Sequence, residues 1–204
     1  MIRKLTLILI LATLGLSAGS AMAIFENKVV SPRVRGIGES SVAVPDASTA
    51  AYHNAGQLAE IDGGQVGVNY VRPFRLDFTD FLYVGAGIPL SERWGNLGVA
   101  MSIFKVGYQD TTLLKESQLT LAHGFGLYSD YHSRIDFGYA FNFYNVDLGT
   151  SVDGYDPGSD SVFGIDLGLM VTLHKRTRLG FQIKNANNPK IGVDQEELNQ
   201  RLVA

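Results

Sequence analysis

Cysteine is missing from all 204 residues. Its absence excludes a disulfide framework and any thiolate metal site. Charge is scarce as well. Asp, Glu, Lys and Arg make up 18% of the chain, below the roughly 25% of a typical soluble domain. The formal net charge is -3, so no basic field exists to hold nucleic acid. Beyond residue 23 no apolar run approaches the roughly 20 residues of a membrane helix. If the mature chain crosses a bilayer, it must do so with strands.

What is abundant is glycine, 23 of 204 residues, well above the usual ~7%. No collagen period accompanies it, which leaves a barrel or a sandwich with tight turns. The first residues read as a signal peptide, 1–23. Arg3 and Lys4 form a charged start, Leu5 to Leu16 an apolar stretch, and Ala21-Met22-Ala23 an A-x-A cleavage site.

Residues 24–62 differ in texture from the rest. They hold Pro32, Pro45, Gly36, Gly38 and an alanine-rich patch from Ala47 to Ala59. Asp46 or Ser48 is placed to cap a short helix towards Tyr52, with Asn54 and Gly56 ending it. This is expected to be a segment outside the sheet, packed in or under it.

From residue 63 onwards the dominant pattern is a period of two. Ile135, Phe137, Tyr139, Phe141 and Phe143 alternate with Arg134, Asp136, Gly138, Ala140 and Asn142. Such alternation makes a strand with one apolar and one polar or small face. It recurs at Val66–Tyr70, Leu97–Ile103, Leu119–Leu127, Phe163–Leu173 and Leu179–Ile183. Phe78–Ile88 is a further strand whose apolar face is ambiguous. About seven strands result, several near the 9–11 residues that cross a bilayer when tilted.

The connections alternate too. Ser91–Asn96, Ser129–Ser133 and His174–Thr177 are short; Arg72–Asp77, Gln109–Lys115 and Asp147–Ser161 are longer or more polar. Short turns at one end and long loops at the other characterise outer-membrane barrels. The fold class expected is therefore all-β: a transmembrane, antiparallel, up-and-down β-barrel over 63–204, behind a hatch-like segment. An odd count leaves an open edge, and Arg201–Ala204 looks like the start of another strand. The barrel is thus expected to be incomplete, about half its strands, as the N-terminal part of a longer protein or as a sheet completed by oligomerisation.

Chemical signatures are sparse. No G-x-S-x-G occurs, and Gly36-Ile37-Gly38 lacks the rest of a dinucleotide fingerprint. His53, His123, His132 and His174 stand in no metal-ligand spacing. The acidic stretch Asp147–Asp160 lacks the EF-hand order and reads as a solvated loop. No enzyme activity, cofactor or metal is expected. Arg134, Asp136, Asn142, Asp166, Arg178, Gln182 and Lys184 should face a lumen, either lining a path or filling it as paired charges. Trp94, Tyr108, Tyr128, Tyr131 and Tyr144 lie near strand ends, as interfacial aromatic girdles would.

Gly36-Ile37-Gly38 and the run Val42-Ala43-Val44-Pro45-Asp46-Ala47-Ser48-Thr49-Ala50-Ala51-Tyr52-His53-Asn54-Ala55-Gly56-Gln57-Leu58-Ala59 resemble the N-terminal signature of FadL-like outer-membrane proteins, including the PorV/PorQ group. The stretches Ile165–Leu169, Leu179–Asn185 and Asn188–Ile191 resemble paired strands of that group. The chain departs from the pattern where Ala47 replaces a second Asp, where the Pro after Asn54 is missing, and where Gln57 intervenes before Leu58. The resemblance implies a barrel of about 14 strands in the diderm outer membrane, with the N-terminal segment as plug. Asp46, Tyr52, Asn54, Gly56 and Leu58 would then be the ligand or gating residues. It implies a porin-like, passive transporter of hydrophobic compounds, or alternatively a non-transporting scaffold or secretion-system component. The partners expected are outer-membrane lipid, a hydrophobic small molecule or secretion-system proteins, and no nucleic acid.

Overall fold

The computed structural model describes residues 25, 28, 30–91, 93–109, 111–150, 154–155, 157–192, 196–198 and 200–203. The signal-peptide expectation lies outside the described residues.

Seven long strands follow one another in an up-and-down sheet: β1 (Gln65–Val71), β2 (Thr79–Ser91), β3 (Gly95–Tyr108), β4 (Thr111–Ser129), β5 (Ser133–Leu148), β6 (Gly158–Leu173) and β7 (Thr177–Lys184). A small hairpin, β8 (Lys190–Ile191) with β9 (Glu196–Glu197), intervenes before β10 (Arg201–Val203). The main sheet has eight strands in the order β1-β2-β3-β4-β5-β6-β7-β10, with every neighbour antiparallel. Its edges β1 and β10 do not pair with each other, so the sheet is not closed into a barrel.

The period of two sets the two faces. On β5, Asp136, Gly138, Ala140, Asn142, Tyr144 and Val146 are buried, whereas Phe141 and Phe143 are exposed. The polar and small face is therefore covered and the apolar face is bare, the reverse of a soluble sheet. We call these the inner and outer faces. The register carries the outer side chains in rows across the sheet. One row runs Val68, Val84, Met101, Leu119, Phe143, Phe163; the next runs Val66, Ala86, Val99, Leu121, Phe141, Ile165. Two rows beyond the first, the same face turns charged along Asp80, Lys105, Lys115 and Asp147.

The inner face is covered by residues 30–61. This segment holds a helix at Pro32–Gly36 capped by Ser31 Oγ, a second at Ala50–His53, and a 3-10 turn at Ala55–Glu60. Asp46 does not cap the second helix directly. Its Oδ1 accepts from Ser48 N and Oγ, while Thr49 holds the N-cap position without a side-chain bond. Asn54 ends that helix and caps the 3-10 turn, accepting from Gly56 N at 3.0 Å. The core is the seam between segment and sheet. Val30, Ala50, Ala51, Tyr52, Ala55 and Leu58 pack on Phe81, Tyr83, Ala100, Ala122 and Ala140.

Three expectations are corrected. The polar stretch Gln109–Lys115 is not a loop: β3 runs to Tyr108 and β4 starts at Thr111. Thr111 and Thr112, then Leu113 and Leu114, put like residues on the two faces, so the alternation fades while the ladder continues. Tyr144 belongs to no girdle. It sits on the inner face, donates its hydroxyl to Asn185 Oδ1 at 3.0 Å and meets the Phe25 ring edge-on. The ambiguous strand β2 points Leu82, Val84 and Ile88 outward, and Phe81 and Tyr83 inward. Tyr83 is accommodated because its hydroxyl donates to Ser48 O at 2.8 Å and its ring meets Tyr52.

Candidate functional site

The seat of the N-terminal segment is built from glycines. Each of β1 to β7 presents at least one inner-face glycine under it: Gly67, Gly85 and Gly87, Gly98, Gly124, Gly138, Gly168 and Gly180. A Cβ at Gly98 would stand 2.9 Å from Ala51 Cβ, and one at Gly138 would stand 2.5 Å from Gly56 N. Backbone lies on backbone here, and no side chain fits between. The expectation for Gly138→Val is undocking of residues 55–60 from β5, at a cost of about 3 kcal/mol, the upper range for overpacking. Urea unfolding reads this directly. An unchanged midpoint would mean that the segment does not bear on the sheet.

Amide side chains then pin the segment. Asn54 Nδ2 donates to Val42 O at 2.8 Å and to Leu169 O on β6 at 3.2 Å. Gln57 is fully buried and donates Nε2 to Ser41 O and to Val42 O at 2.9 Å. Gln57, one of the departures from the resemblance pattern, thus joins Asn54 in folding the segment back on itself. Asn96 Nδ2 donates to Leu58 O at 2.6 Å and Ile61 O at 3.0 Å, fastening the 3-10 turn to β3. Buried amides left unpaired would each cost about 1–3 kcal/mol, so these bonds set the segment's place.

Charge fastens the end next to the short turns. Arg134 grips both oxygens of Asp136 through Nε, at 2.8 and 2.9 Å, and donates Nη2 to Ala59 O at 2.7 Å. Glu60 accepts from Thr172 Oγ1 at 2.7 Å and pairs with Arg178 at 3.2 Å. Two cavities of about 590 and 290 Å³ flank Arg134, the first lined by Pro89, Leu90, Asn96 and Leu127, the second by Glu60, Asp130, His132 and Arg178.

Across the middle of the inner face runs a buried polar line. Lys28 pairs with Glu116 at 2.5 Å. Gln118 donates to Thr120 Oγ1 and Asn142 Oδ1, both at 3.1 Å, and Thr120 donates to Asn142 Oδ1 at 2.7 Å. Beyond it Asp166 accepts from Asn185 N at 2.8 Å, and the Lys184 ammonium lies 4.1 Å over the Tyr52 ring. Gln182 is buried on the same face. All seven polar residues singled out on β5, β6 and β7 therefore lie on the inner face. Arg134, Asp136, Asn142, Asp166, Arg178 and Lys184 belong to ionic or hydrogen-bonded contacts there.

Of the five segment residues, Tyr52, Asn54, Gly56 and Leu58 are buried against the sheet. Asp46 is partly exposed and pairs with Arg33 at 3.0 Å. Its carboxyl is held below the usual range: desolvation opposes this, but bonds from Ser48 and Arg33 outweigh it. Burial pushes the Tyr52 phenol up to about 12. His53 is buried with Nε2 unpartnered, and burial, then the Lys184 charge, pushes it down to about 3.

Among the described residues no group of three or more His, Asp or Glu converges as a metal site. His132 and His174 face each other across two turns, rings 5.1 Å apart. His123 stands on the outer face between Phe125 and Tyr139 and bonds Trp94 O at 2.6 Å. The acidic stretch lies partly outside the described residues. Within it, Asp160 accepts from Ser161 N and Gly192 N. Of the amide pins, Asn54 is singled out by the sequence; Gln57, Asn96 and also Glu60 are not, because their partners lie up to 112 residues away.

Comparison with family models, with curated proteins and with solved structures returned no match.

Proposed function

We propose that this chain is part of an outer-membrane β-barrel whose outer face meets lipid and whose N-terminal segment lies in the lumen. The observation that carries the reading is the inverted sheet. Val66 and Val68 are 73% and 68% exposed and Phe143 48%, whereas Asp136 and Asn142 are wholly buried. Water does not tolerate a continuous bare apolar face of this extent. A bilayer does. The outer apolar run on β5, Ile135 to Phe143, is nine residues, roughly 27 Å along the strand. That is close to the ~25 Å apolar band of such barrels before tilt is allowed for.

In this reading the protein moves hydrophobic compounds passively across the outer membrane. The cavities beside Arg134 lie where a compound would leave once residues 55–60 lift away. A second reading, a non-transporting scaffold or secretion-system component, is favoured by the glycine seat, which leaves no passage between segment and strands.

The test is fractionation of the expressing cell with a heat-modifiability gel on the outer-membrane fraction. A heat-shifted band there is the expected result. A soluble periplasmic product without a shift overturns both readings. Uptake of a fluorescent apolar probe separates transport from scaffold.

A further inference from the structure

We propose that the short-turn end of the sheet is a docking surface for the headgroups of anionic glycerophospholipids; this rests on the membrane-spanning reading above. Three connections lie at this end, with described residues 93–94, 130–132 and 174–176. They carry two strongly exposed aromatics, Trp94 at 68% and Tyr131 at 81%. Each supports a cation. The Arg93 guanidinium lies 5.9 Å from the Trp94 ring centre, and the Lys175 ammonium 5.7 Å from that of Tyr131. Arg176 stands exposed beside Lys175.

Among the described residues these cations, Arg93, Lys175 and Arg176, have no ion-pair partner. The nearby Asp130 is already engaged: it accepts from Tyr128 Oη at 2.8 Å, His132 N at 2.7 Å and Ser133 N at 2.6 Å. At the opposite end most cations have partners, Arg75 being the exception among the described residues. Arg72 pairs with Asp77 and Asp80, Lys190 with Glu197, and Lys105 and Lys115 sit in a row between Asp80 and Asp147.

A phosphodiester headgroup fits what the turn end offers. An indole or phenol ring rests at the carbonyl level of a leaflet, polar edge outward. A cation held over that ring is then set at phosphate depth, with its remaining N–H groups free to donate. Anionic lipid adds net charge, so it is preferred to zwitterionic lipid, and salt weakens the preference. The loop end, where most cations are already paired, gains less. The surface thereby distinguishes the two ends of the protein and fixes which end faces a phospholipid leaflet.

The experiment uses the full chain refolded with phosphatidylcholine vesicles, with and without phosphatidylglycerol, and flotation as the readout. The expected result is insertion into both, with phosphatidylglycerol preferred by about tenfold or more at low salt. R93Q/K175Q/R176Q is expected to insert into phosphatidylcholine as before and to lose that preference. K105Q/K115Q at the loop end is expected to keep it. Equal partition of the unaltered protein, or a preference that survives the triple change, overturns the proposal while leaving the barrel intact. Failure to float with either vesicle overturns the membrane reading and this proposal together.

Discussion

Leu121→Arg is expected to remove the heat-shifted, folded form from the outer-membrane fraction. Leu121 lies near the centre of the outer apolar band, flanked in register by Val99 on β3 and Phe141 on β5, and 43% of it is exposed. An arginine there faces whatever covers the outer face. In lipid it costs about 2–4 kcal/mol near the midplane, since the charge must be desolvated or drawn to the interface. In water it would cost little, because an exposed position on a soluble sheet tolerates a cation. The substitution thus separates the two environments by the size of its cost. Ser117→Arg is the matched control. It shares the outer face of β4 with Leu121 but sits beyond the apolar rows, opposite Asn145. It is expected to leave assembly unchanged. Equal behaviour of the two variants, both assembling, would place the outer face in water and sink the membrane reading.

The same parity that makes this test possible was most of what the sequence disclosed. Alternation named the strands and both faces of β5, and the next three positions of that strand also contained the answer for Tyr144. Tyr144 shares its parity with Asn142 and Val146, so it points inward; nearness to a strand end was the weaker cue. β2 defied the rule because its inward Phe81 and Tyr83 are as apolar as its outward Leu82 and Val84. Their burial is decided by Ser48 and Tyr52, which belong to a distant segment. The glycine seat was visible only as an excess of glycine. That a glycine falls under the segment on each of seven strands is a property of register, which the sequence does not contain until the strands are paired. Asn187 illustrates the same limit. Its amide accepts from Ile165 N and donates to Phe163 O, prolonging the β6 ladder with a side chain where the backbone of β7 has ended.

Mild acid is expected to release the N-terminal segment from the sheet, through His53. This imidazole is buried at the end of helix Ala50–His53, its Nε2 has no hydrogen-bond partner among the described residues, and Lys184 and Asp46 are the charges it feels. Burial and the Lys184 ammonium hold its docked value down to about 3, against 6.5 when it is free in water. Above pH 6.5 it is neutral in both states and contributes no pH dependence. Below pH 6.5 the released segment takes up a proton that the docked one refuses, so docking weakens as pH falls, until the docked value is reached. Between pH 6.5 and 4.5 the loss is about 2–3 kcal/mol. Asp46, whose docked carboxyl is held low, adds its own loss only as pH falls below the free carboxylate range, so it lies outside this window. Since the chain has no cysteine, Ser41→Cys provides a single reporter at a buried position of the segment. Its reaction with 4,4′-dithiodipyridine, which proceeds at acid pH, measures release. Labelling is expected to rise by one to two orders of magnitude from pH 6.5 to 4.5. Adding His53→Gln is expected to flatten that rise, because an amide of similar size carries no proton across this range. A rise that persists undiminished in the His53→Gln background would assign the acid response to other groups and refute His53 as the acid-sensitive residue of the segment.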